Sequence, residues 1–173
     1  MDNIGKSTGP SLHVRPATAA DSETIARIYS HYILHTTISF EEQPVSGAEM
    51  GERMADVWSS SLPWLVAVHA GQVVAYACAG KWKERIGYRY SVETSVYVDQ
   101  AFTGRRIGTQ LYQALLPLLR DRAIHAVIGG IALPNAASVA MHERLGFRKV
   151  AHFKEVGYKF GQWIDVGYWQ TSL

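Results

Sequence analysis

The sequence contains a single cysteine, Cys78, so neither an intrachain disulfide nor a multi-cysteine metal site can form. It also has no run of about 18 or more apolar residues, the length that a membrane-spanning helix needs. Residues 1–10 lack the charged-then-apolar pattern of a signal peptide. These absences predict a cytoplasmic protein that is not membrane-bound, and the polar start, residues 1–11, is expected to be a flexible tail.

Charge is also sparse. Charged residues make up 18% of the chain, and 17 basic residues oppose 15 acidic ones for a net charge of +2, without a basic block. Because proteins that bind nucleic acids or membrane surfaces usually concentrate positive charge, neither partner is expected. The 173 residues, 47% of them apolar, fit one folded domain over residues 12–173.

Helix and strand patterns follow one another in the first half of the chain. Thr18 and Ser46 each precede an acidic residue by three positions and a helical spacing of apolar residues, which predicts two capped amphipathic helices. Two short runs rich in β-branched residues, 64–69 and 73–79, predict a hairpin, and residues 88–98 predict a long central strand.

The second half continues the alternation. A glycine-containing turn at residues 103–108 opens a helix that Pro117 should end or kink. A short helix after Asn135 should be closed by Gly146 in a left-handed conformation. The remaining strands are predicted at residues 124–132, 147–153 and 166–171. This order indicates an α/β or α+β layer fold.

The turn at residues 103–108 has the features of an anion-binding site. A strand, a glycine-containing turn and a helix place free backbone N–H groups at a helix N-terminus, which favours phosphate. Gly104 and Gly108 allow a close backbone approach, and Arg105 and Arg106 add positive charge. The same residues could form only a turn and a helix cap. They match neither a Walker loop nor a dinucleotide fingerprint.

Three longer segments, residues 92–98, 133–147 and 156–170, are more specific than the turn. Taken with the turn, they resemble the GNAT acetyltransferase superfamily, and within it the phosphinothricin and methionine sulfoximine or sulfone acetyltransferases. The resemblance extends from about Leu12 to Gln170. At the turn the superfamily pattern is Gln/Arg-x-x-Gly-x-Gly/Ala, from which this sequence departs at Thr103 and Arg106.

The resemblance implies a GNAT fold, in which a mixed and bent central β-sheet is flanked by helices. Its fourth and fifth strands would splay apart to admit acetyl-CoA, the acetyl donor, and no metal is implied. Val96 and Val98 would pair with the pantetheine arm, and Asn135 and Ser138 would contact it from the other side. The implied acetyl-CoA-binding residues are Val96, Tyr97, Val98, Thr103, Gly104, Arg105, Arg106, Ile107, Gly108, Thr109, Asn135 and Ser138.

The chemistry needs a general base, because free amino groups are substantially protonated at neutral pH. The resemblance places Glu93 at the family's catalytic carboxylate, and its position between apolar neighbours also favours a cleft over a packed site; a strand-edge salt bridge is the alternative. It places His142 where the family usually has a tyrosine acid, although a histidine on a short helix is more often packed. A strand N–H near Val96 would stabilise an oxyanion. Cys78, in an apolar strand, is expected to be core.

Substrate recognition is carried over from the family to Phe40, Lys83, Arg85 and Tyr88. Arg85 suits a carboxylate or phosphinate by bidentate hydrogen bonding, whereas the charges around it could instead form a solvated loop. The aromatic residues near the C-terminus would fill the core and edge strands, and in this subgroup they also tend to build a homodimer.

The expected function is therefore acetyl-CoA-dependent N-acetylation of a small amino-acid analogue such as phosphinothricin, methionine sulfoximine or methionine sulfone, with herbicide resistance as one possible consequence. One alternative is the same reaction on a different amine, such as a polyamine, an aminoglycoside or a protein N-terminus. The cationic segment containing Lys83 and Arg85 disfavours polyamines. The other alternative is a noncatalytic acyl-CoA-binding module, which the retention of Glu93 disfavours.

Overall fold

The computed structural model describes residues 11–173, and within them seven strands form one mixed sheet flanked by four helices. All but the last residue of the predicted tail, residues 1–11, lie outside this range. The strands are β1 (His13–Pro16), β2 (Trp64–His69), β3 (Gln72–Lys81), β4 (Ser91–Val98), β5 (Ala126–Leu133), β6 (Arg148–Lys159) and β7 (Gln162–Ser172). The helices are α1 (Ser22–His35), α2 (Gly47–Ser59), α3 (Ile107–Arg120) and α4 (Ala136–Arg144).

The sheet has the order β1-β2-β3-β4-β5-β7-β6, and its β4–β5 pair is parallel while the other pairs are antiparallel. The parallel pairing is short, since it joins Ser91–Glu93 of β4 only to Ala126–Ile128 of β5. Beyond it β4 continues beside β3 as far as Val98. The fourth and fifth strands therefore separate, which confirms the predicted splayed mixed sheet.

Each face of the sheet carries its own hydrophobic core. On one face Leu111, Leu115 and Leu119 of α3 are fully buried, and each contributes about 2 kcal/mol by the apolar area it removes from water. On the other face α1 and α2 pack with residues such as Ile25 and Met54 against the sheet. Successive residues of a strand point to opposite faces, so each position on β4 is committed to one of these two layers.

The helix starts follow the predicted caps, with one shift. The Ser46 hydroxyl accepts a hydrogen bond of 3.1 Å from the backbone N–H of Glu49, as the cap of α2 requires. At the first predicted cap the Asp21 carboxylate accepts a hydrogen bond of 2.7 Å from the backbone N–H of Thr18. Residues Ala19–Asp21 form a short 3-10 turn, however, and α1 begins only at Ser22.

Two strand hairpins turn on pairs of residues with positive φ. Ala70 and Gly71, at φ 50° and 78°, connect β2 to β3, as the predicted hairpin requires. Phe160 and Gly161, at φ 50° and 76°, connect β6 to β7 in the same way. This second hairpin was missed because the register shifts between Phe153 and Gly157, which breaks the alternation that identifies a strand. The last two strands are accordingly longer than predicted.

Two further boundaries differ from expectation. The central strand begins at Ser91 rather than residue 88, because Ile86–Tyr88 form a 3-10 turn. Helix α3 does not end at Pro117 but continues to Arg120. A proline this close to the helix end removes one backbone hydrogen bond, whereas the fully buried Leu119 keeps the last turn packed on the sheet.

Among the helices of residues 11–173, none combines the length and the apolar character that crossing a bilayer requires.

Candidate active site

A cavity of about 490 Å³ lies where β4 and β5 separate. Its walls are residues 94–98 of β4, residues 130–132 of β5, the turn before α3, and α4. Eleven of the twelve residues predicted to bind acetyl-CoA line it, namely Val96, Tyr97, Val98, Thr103, Gly104, Arg106, Ile107, Gly108, Thr109, Asn135 and Ser138. The sequence-derived set thus converges on one concave surface.

The exception is Arg105, whose side chain lies outside the cavity. Its Nη2 donates to the backbone oxygen of Ala101 at 3.3 Å, and its guanidinium carbon lies 4.9 Å from the ring centroid of Phe102. Arg105 therefore braces the turn in this conformation.

The start of α3 explains why the family pattern has glycine at the position of Arg106. This residue caps the helix with φ 59° and ψ 21°, a left-handed conformation that glycine adopts freely and that costs other residues about 1 kcal/mol. Arg106 adopts it, so the departure from glycine leaves the turn intact. The first N–H groups of the helix have no partner within it and are available to an anion.

Two of the cavity residues, Gly108 and Asn135, also stabilise the structure around the cavity. A Cβ on Gly108 would lie 3.0 Å from Met141 Sδ and 3.5 Å from Val96 Cγ2, so the glycine lets α3, α4 and β4 pack closely. Asn135 caps α4, because its Oδ1 accepts a hydrogen bond of 3.2 Å from the backbone N–H of Ser138.

The site fits the ligand that the resemblance implies. The N-terminus of α3 offers main-chain donors and positive dipole charge to a pyrophosphate. Beyond Glu93 the edge of β4 that faces β5 has no partner strand in residues 94–98, and of its backbone groups the Val98 carbonyl accepts from the hydroxyl of Tyr32 at 2.6 Å. The rest of this edge can hydrogen-bond an amide-containing arm. Within residues 11–173 there is no cluster of three or more His, Cys, Asp or Glu side chains suited to a metal ion.

Glu93 lies at the last position where β4 pairs with β5, opposite Ile128. Its neighbours on β4 face α3: Val92 belongs to that core and Thr94 hydrogen-bonds a residue of α3. Alternation therefore directs Glu93 to the opposite face. There its Oε1 lies only 2.8 Å from where a Cβ on Gly130 would be, at the edge of the cavity.

The half-buried position of Glu93 changes its proton affinity. Desolvation raises the pKa of the carboxyl above its usual value, and the positive charge of Lys83 partly opposes this by lowering the pKa. No hydrogen bond from the described part of the chain contributes to the shift. The carboxylate is consequently a stronger base than an exposed glutamate, with its lone pairs free to accept a proton.

His142 is almost fully buried, at 3% exposure, and it lines the cavity from the other face of the sheet. Burial lowers its pKa, so the ring is neutral at pH 7 and carries one proton. Nδ1 lies 2.8 Å from the carbonyl oxygen of Ser138, which can only accept, and therefore holds that proton. Nε2 is left as an acceptor 3.2 Å from the hydroxyl of Tyr112.

Tyr112 connects His142 to β4. Its hydroxyl also lies 2.9 Å from Thr94 Oγ1, which in turn donates to the Ile128 carbonyl at 3.2 Å. The single hydroxyl proton of Tyr112 can thus be given to either Thr94 or His142 by rotation about the C–O bond. Burial raises the pKa of Tyr112, which keeps the hydroxyl protonated at neutral pH.

Two successive glycines of β5 make room for both titratable groups. A Cβ on Gly129 would lie 2.5 Å from His142 Nε2, and one on Gly130 would lie 2.8 Å from Glu93 Oε1 and 3.2 Å from the ring of Tyr168. Any larger residue would displace these side chains. The glycine pair therefore lets a carboxylate and an imidazole approach β5 from opposite faces of the sheet.

The predicted substrate residues lie apart from the cavity described above. Lys83, Arg85 and Tyr88 belong to the β3–β4 connection and line a second cavity of about 630 Å³, rich in basic residues. Of these residues, only Lys83 shifts the pKa of Glu93 through its charge. Phe40 lies in the α1–α2 connection, where its ring packs over the backbone of Gly157 in β6. Neither of the two cavities is lined by all four residues.

Several cavity residues were not predicted from the sequence. Tyr112 and Thr94 form the polar network around His142, and Thr36 and Ile38 approach from the α1–α2 connection. Glycines inside a predicted strand indicate close approach of another group, so Gly129 and Gly130 carried a usable signal. Cys78, by contrast, is half-buried and packs against the core on the side of α1 and α2, as expected, and desolvation raises the pKa of its thiol to about 12, which disfavours the thiolate.

The chain is similar over most of its length to named acetyltransferases. The acetyltransferase (GNAT) domain family matches residues 14–167. Phosphinothricin N-acetyltransferase of Streptomyces viridochromogenes is 39% identical over 165 residues, which cover 94% of this chain and 88% of that protein. L-Methionine sulfoximine/L-methionine sulfone acetyltransferase of Salmonella typhimurium is 37% identical over 165 residues, covering 94% of this chain and 95% of that protein.

A solved structure agrees with these relatives. The GNAT superfamily phosphinothricin acetyltransferase of Sinorhizobium meliloti, in complex with acetyl-CoA, superposes with a TM-score of 0.91 at 32% identity. The match covers 94% of this chain and 88% of that one.

Proposed function

The chain belongs to the GNAT acetyltransferase family and is an acetyl-CoA-dependent N-acetyltransferase, and from this premise we propose that it acetylates the amino group of a small amino-acid analogue. Phosphinothricin, methionine sulfoximine and methionine sulfone are the candidate substrates, because relatives with 39% and 37% identity are named for them. The observation that carries the proposal is a half-buried carboxylate, Glu93, placed where β4 and β5 separate.

We assign Glu93 the role of general base. Acetyl-CoA supplies the acetyl group as a thioester when it is bound. The acceptor amine must first lose a proton, and the raised pKa of Glu93 brings its proton affinity closer to that of the amine. Its position over Gly130 leaves the carboxylate at the cavity edge, where it can act directly or through one water molecule.

The proton for the leaving sulfur comes, in this proposal, from the pair formed by Tyr112 and His142. Since the Nδ1 proton of His142 is held by Ser138, the hydroxyl of Tyr112 carries the proton that can move towards the cavity. The hydroxyl has one proton, so it turns from His142 Nε2 to the sulfur as it donates, and the tyrosinate left behind takes a proton from solvent after the product leaves. In the resting site His142 orients this hydroxyl by accepting from it. His142 thus keeps a place in the catalytic machinery, with Tyr112 as its proton-bearing partner.

The basic segment between β3 and β4 would recognise the acidic end of the substrate. Arg85 can bind a carboxylate or phosphinate with two parallel hydrogen bonds, and Lys83 and Tyr88 lie in the same segment. Phe40 would pack against the apolar part of the substrate. We further expect the enzyme to act in the cytoplasm. We also expect a homodimer, because the β6–β7 hairpin exposes Val156, Phe160 and Trp163 by more than half.

The substrate class can be tested by thiol release from acetyl-CoA. Phosphinothricin, methionine sulfoximine and methionine sulfone should each be acetylated with a kcat/KM well above that of a polyamine, an aminoglycoside or a peptide N-terminus. Preferential turnover of one of these other amines would replace the proposed substrate. Acetyl-CoA binding without any turnover would instead indicate a noncatalytic module.

Replacing Glu93 with glutamine should lower kcat about 100-fold or more, because the base is lost while its volume is kept. The Kd for acetyl-CoA, measured by calorimetry, should change little. In the wild type kcat/KM should fall as the pH drops through the raised pKa of Glu93.

The charge of Lys83 gives a further test of the same base. Lys83 lowers the pKa of Glu93, so Lys83→Met should raise that pKa and move the acid limb of the kcat/KM profile to higher pH. Lys81→Met is the matched control, since Lys81 is an exposed cation at the end of β3, two residues before Lys83, and does not shift the pKa of Glu93. An unmoved limb, or equal movement in both variants, would remove the assignment of Glu93.

Tyr112→Phe should lower kcat about 10- to 100-fold, because the hydroxyl that returns the proton is absent. It should also destabilise the fold by about 1–2 kcal/mol, since Thr94 and His142 lose a buried partner. Tyr76→Phe is the control: Tyr76 is equally buried but packs on the other face, away from the cavity. Equal kcat values for the two variants would reduce Tyr112 to a packing role.

Sedimentation velocity tests the homodimer. The wild type should sediment at twice its 19.2 kDa chain mass. Trp163→Glu should shift it to the monomer, because Trp163 is 61% exposed on the hairpin. Ile86→Glu, which changes a residue that is 77% exposed outside the hairpin, should leave the dimer intact. A monomeric wild type would contradict the proposal.

A further inference from the structure

The segment between α1 and α2, residues 36–46, reaches the cavity but belongs to neither of its strands. Thr36 and Ile38 line the cavity, and Phe40 follows two residues later. The segment contains no strand or helix, so its conformation depends on its contacts with neighbouring elements. We call it the acceptor loop.

One set of contacts holds the acceptor loop to the helices beside it. The hydroxyl of Tyr29 in α1 lies 2.8 Å from Ser39 Oγ and donates to Glu41 Oε1 at 2.7 Å. Arg53 of α2 donates to both oxygens of Glu41, at 2.7 and 2.9 Å. These contacts fix the middle of the loop to α1 and α2.

The second attachment comes from the far end of the chain. Lys159, the last residue of β6, is only 1% exposed, and its Nζ donates a hydrogen bond to the backbone oxygen of Ser39. The ammonium also lies 5.0 Å from the ring centroid of Phe160. A buried ammonium is costly unless it is hydrogen-bonded and near opposite charge, and Glu41 and Glu42 supply that charge.

A third contact joins the same two segments. A Cβ on Gly157 of β6 would overlap Cε1 of Phe40, so the Phe40 ring occupies the space that a side chain at 157 would need. Lys159 and Gly157 stand two positions apart on β6 and therefore face the same side of the hairpin. Both meet the acceptor loop, at adjacent residues.

We propose that Lys159 is a positioning residue for the amine substrate, holding the acceptor loop against the β6–β7 hairpin so that Ile38 and Phe40 form one wall of the acceptor pocket. This inference rests on the proposed acetylation of a small amino acid analogue. It links substrate binding to the hairpin, since any displacement of Lys159 moves the backbone of Ser39 directly.

Lys159→Met tests the proposal, because methionine keeps most of the side-chain length while removing the ammonium. Lys154→Met, an exposed lysine of the same strand, is the matched control. We expect the KM for the amine to rise about tenfold or more in Lys159→Met, with kcat and the Kd for acetyl-CoA each within about twofold of wild type. Backbone amide exchange of residues 36–46, measured without ligands, should become faster, and the control should match wild type in all four quantities.

An unchanged amine KM, or unchanged exchange of the acceptor loop, would overturn the proposal. A fall in kcat with an unaltered KM for the amine would also overturn it, because a residue that positions the amine should act on its KM. Gly157→Ala provides an independent variant that displaces Phe40 and leaves Lys159 in place, and it should raise the same KM. If no amine is turned over by the wild type, the proposed function fails, and the exchange measurement alone still decides whether Lys159 holds the loop.

Discussion

The separation of β4 from β5 is the constraint on which the rest of the site depends. Three residues of parallel pairing hold the strands together at Ser91–Glu93, and beyond them the backbone of β4 has a free edge. A free edge inside a protein needs polar partners, which a ligand with amide groups can supply. The cavity, the exposed start of α3 and the position of Glu93 all follow from this one opening.

The opening also separates the two groups to which we assign the acid–base chemistry. Glu93 lies on the face of α1 and α2, whereas His142 and Tyr112 lie on the face of α3 and α4. The two adjacent glycines of β5 allow both groups to approach the strand closely. Because burial raises the pKa of Glu93 and lowers that of His142, a carboxylate of raised proton affinity lies across the sheet from a neutral imidazole.

The acceptor side is assembled differently from the donor side. Donor-side residues come from consecutive elements, β4, α3, β5 and α4, and share one cavity. The acceptor side combines the α1–α2 connection, the β3–β4 connection and the β6–β7 hairpin, which are distant in sequence and meet through single contacts such as the one between Lys159 and Ser39. If these segments bind the substrate as we propose, its recognition depends more on loop positions than on strand geometry.

The sequence by itself determined the order of helices and strands, the caps and turns, and the glycine-containing start of α3, because these depend on residues close together in the chain. Through resemblance it also predicted Glu93 and eleven of the cavity residues. Only the tertiary structure decided that Arg106 adopts a left-handed conformation, that Tyr112 reaches His142, and that Lys159 is buried against Ser39. Those contacts join residues up to 120 positions apart, and no local pattern records which distant side chain will fill a given space.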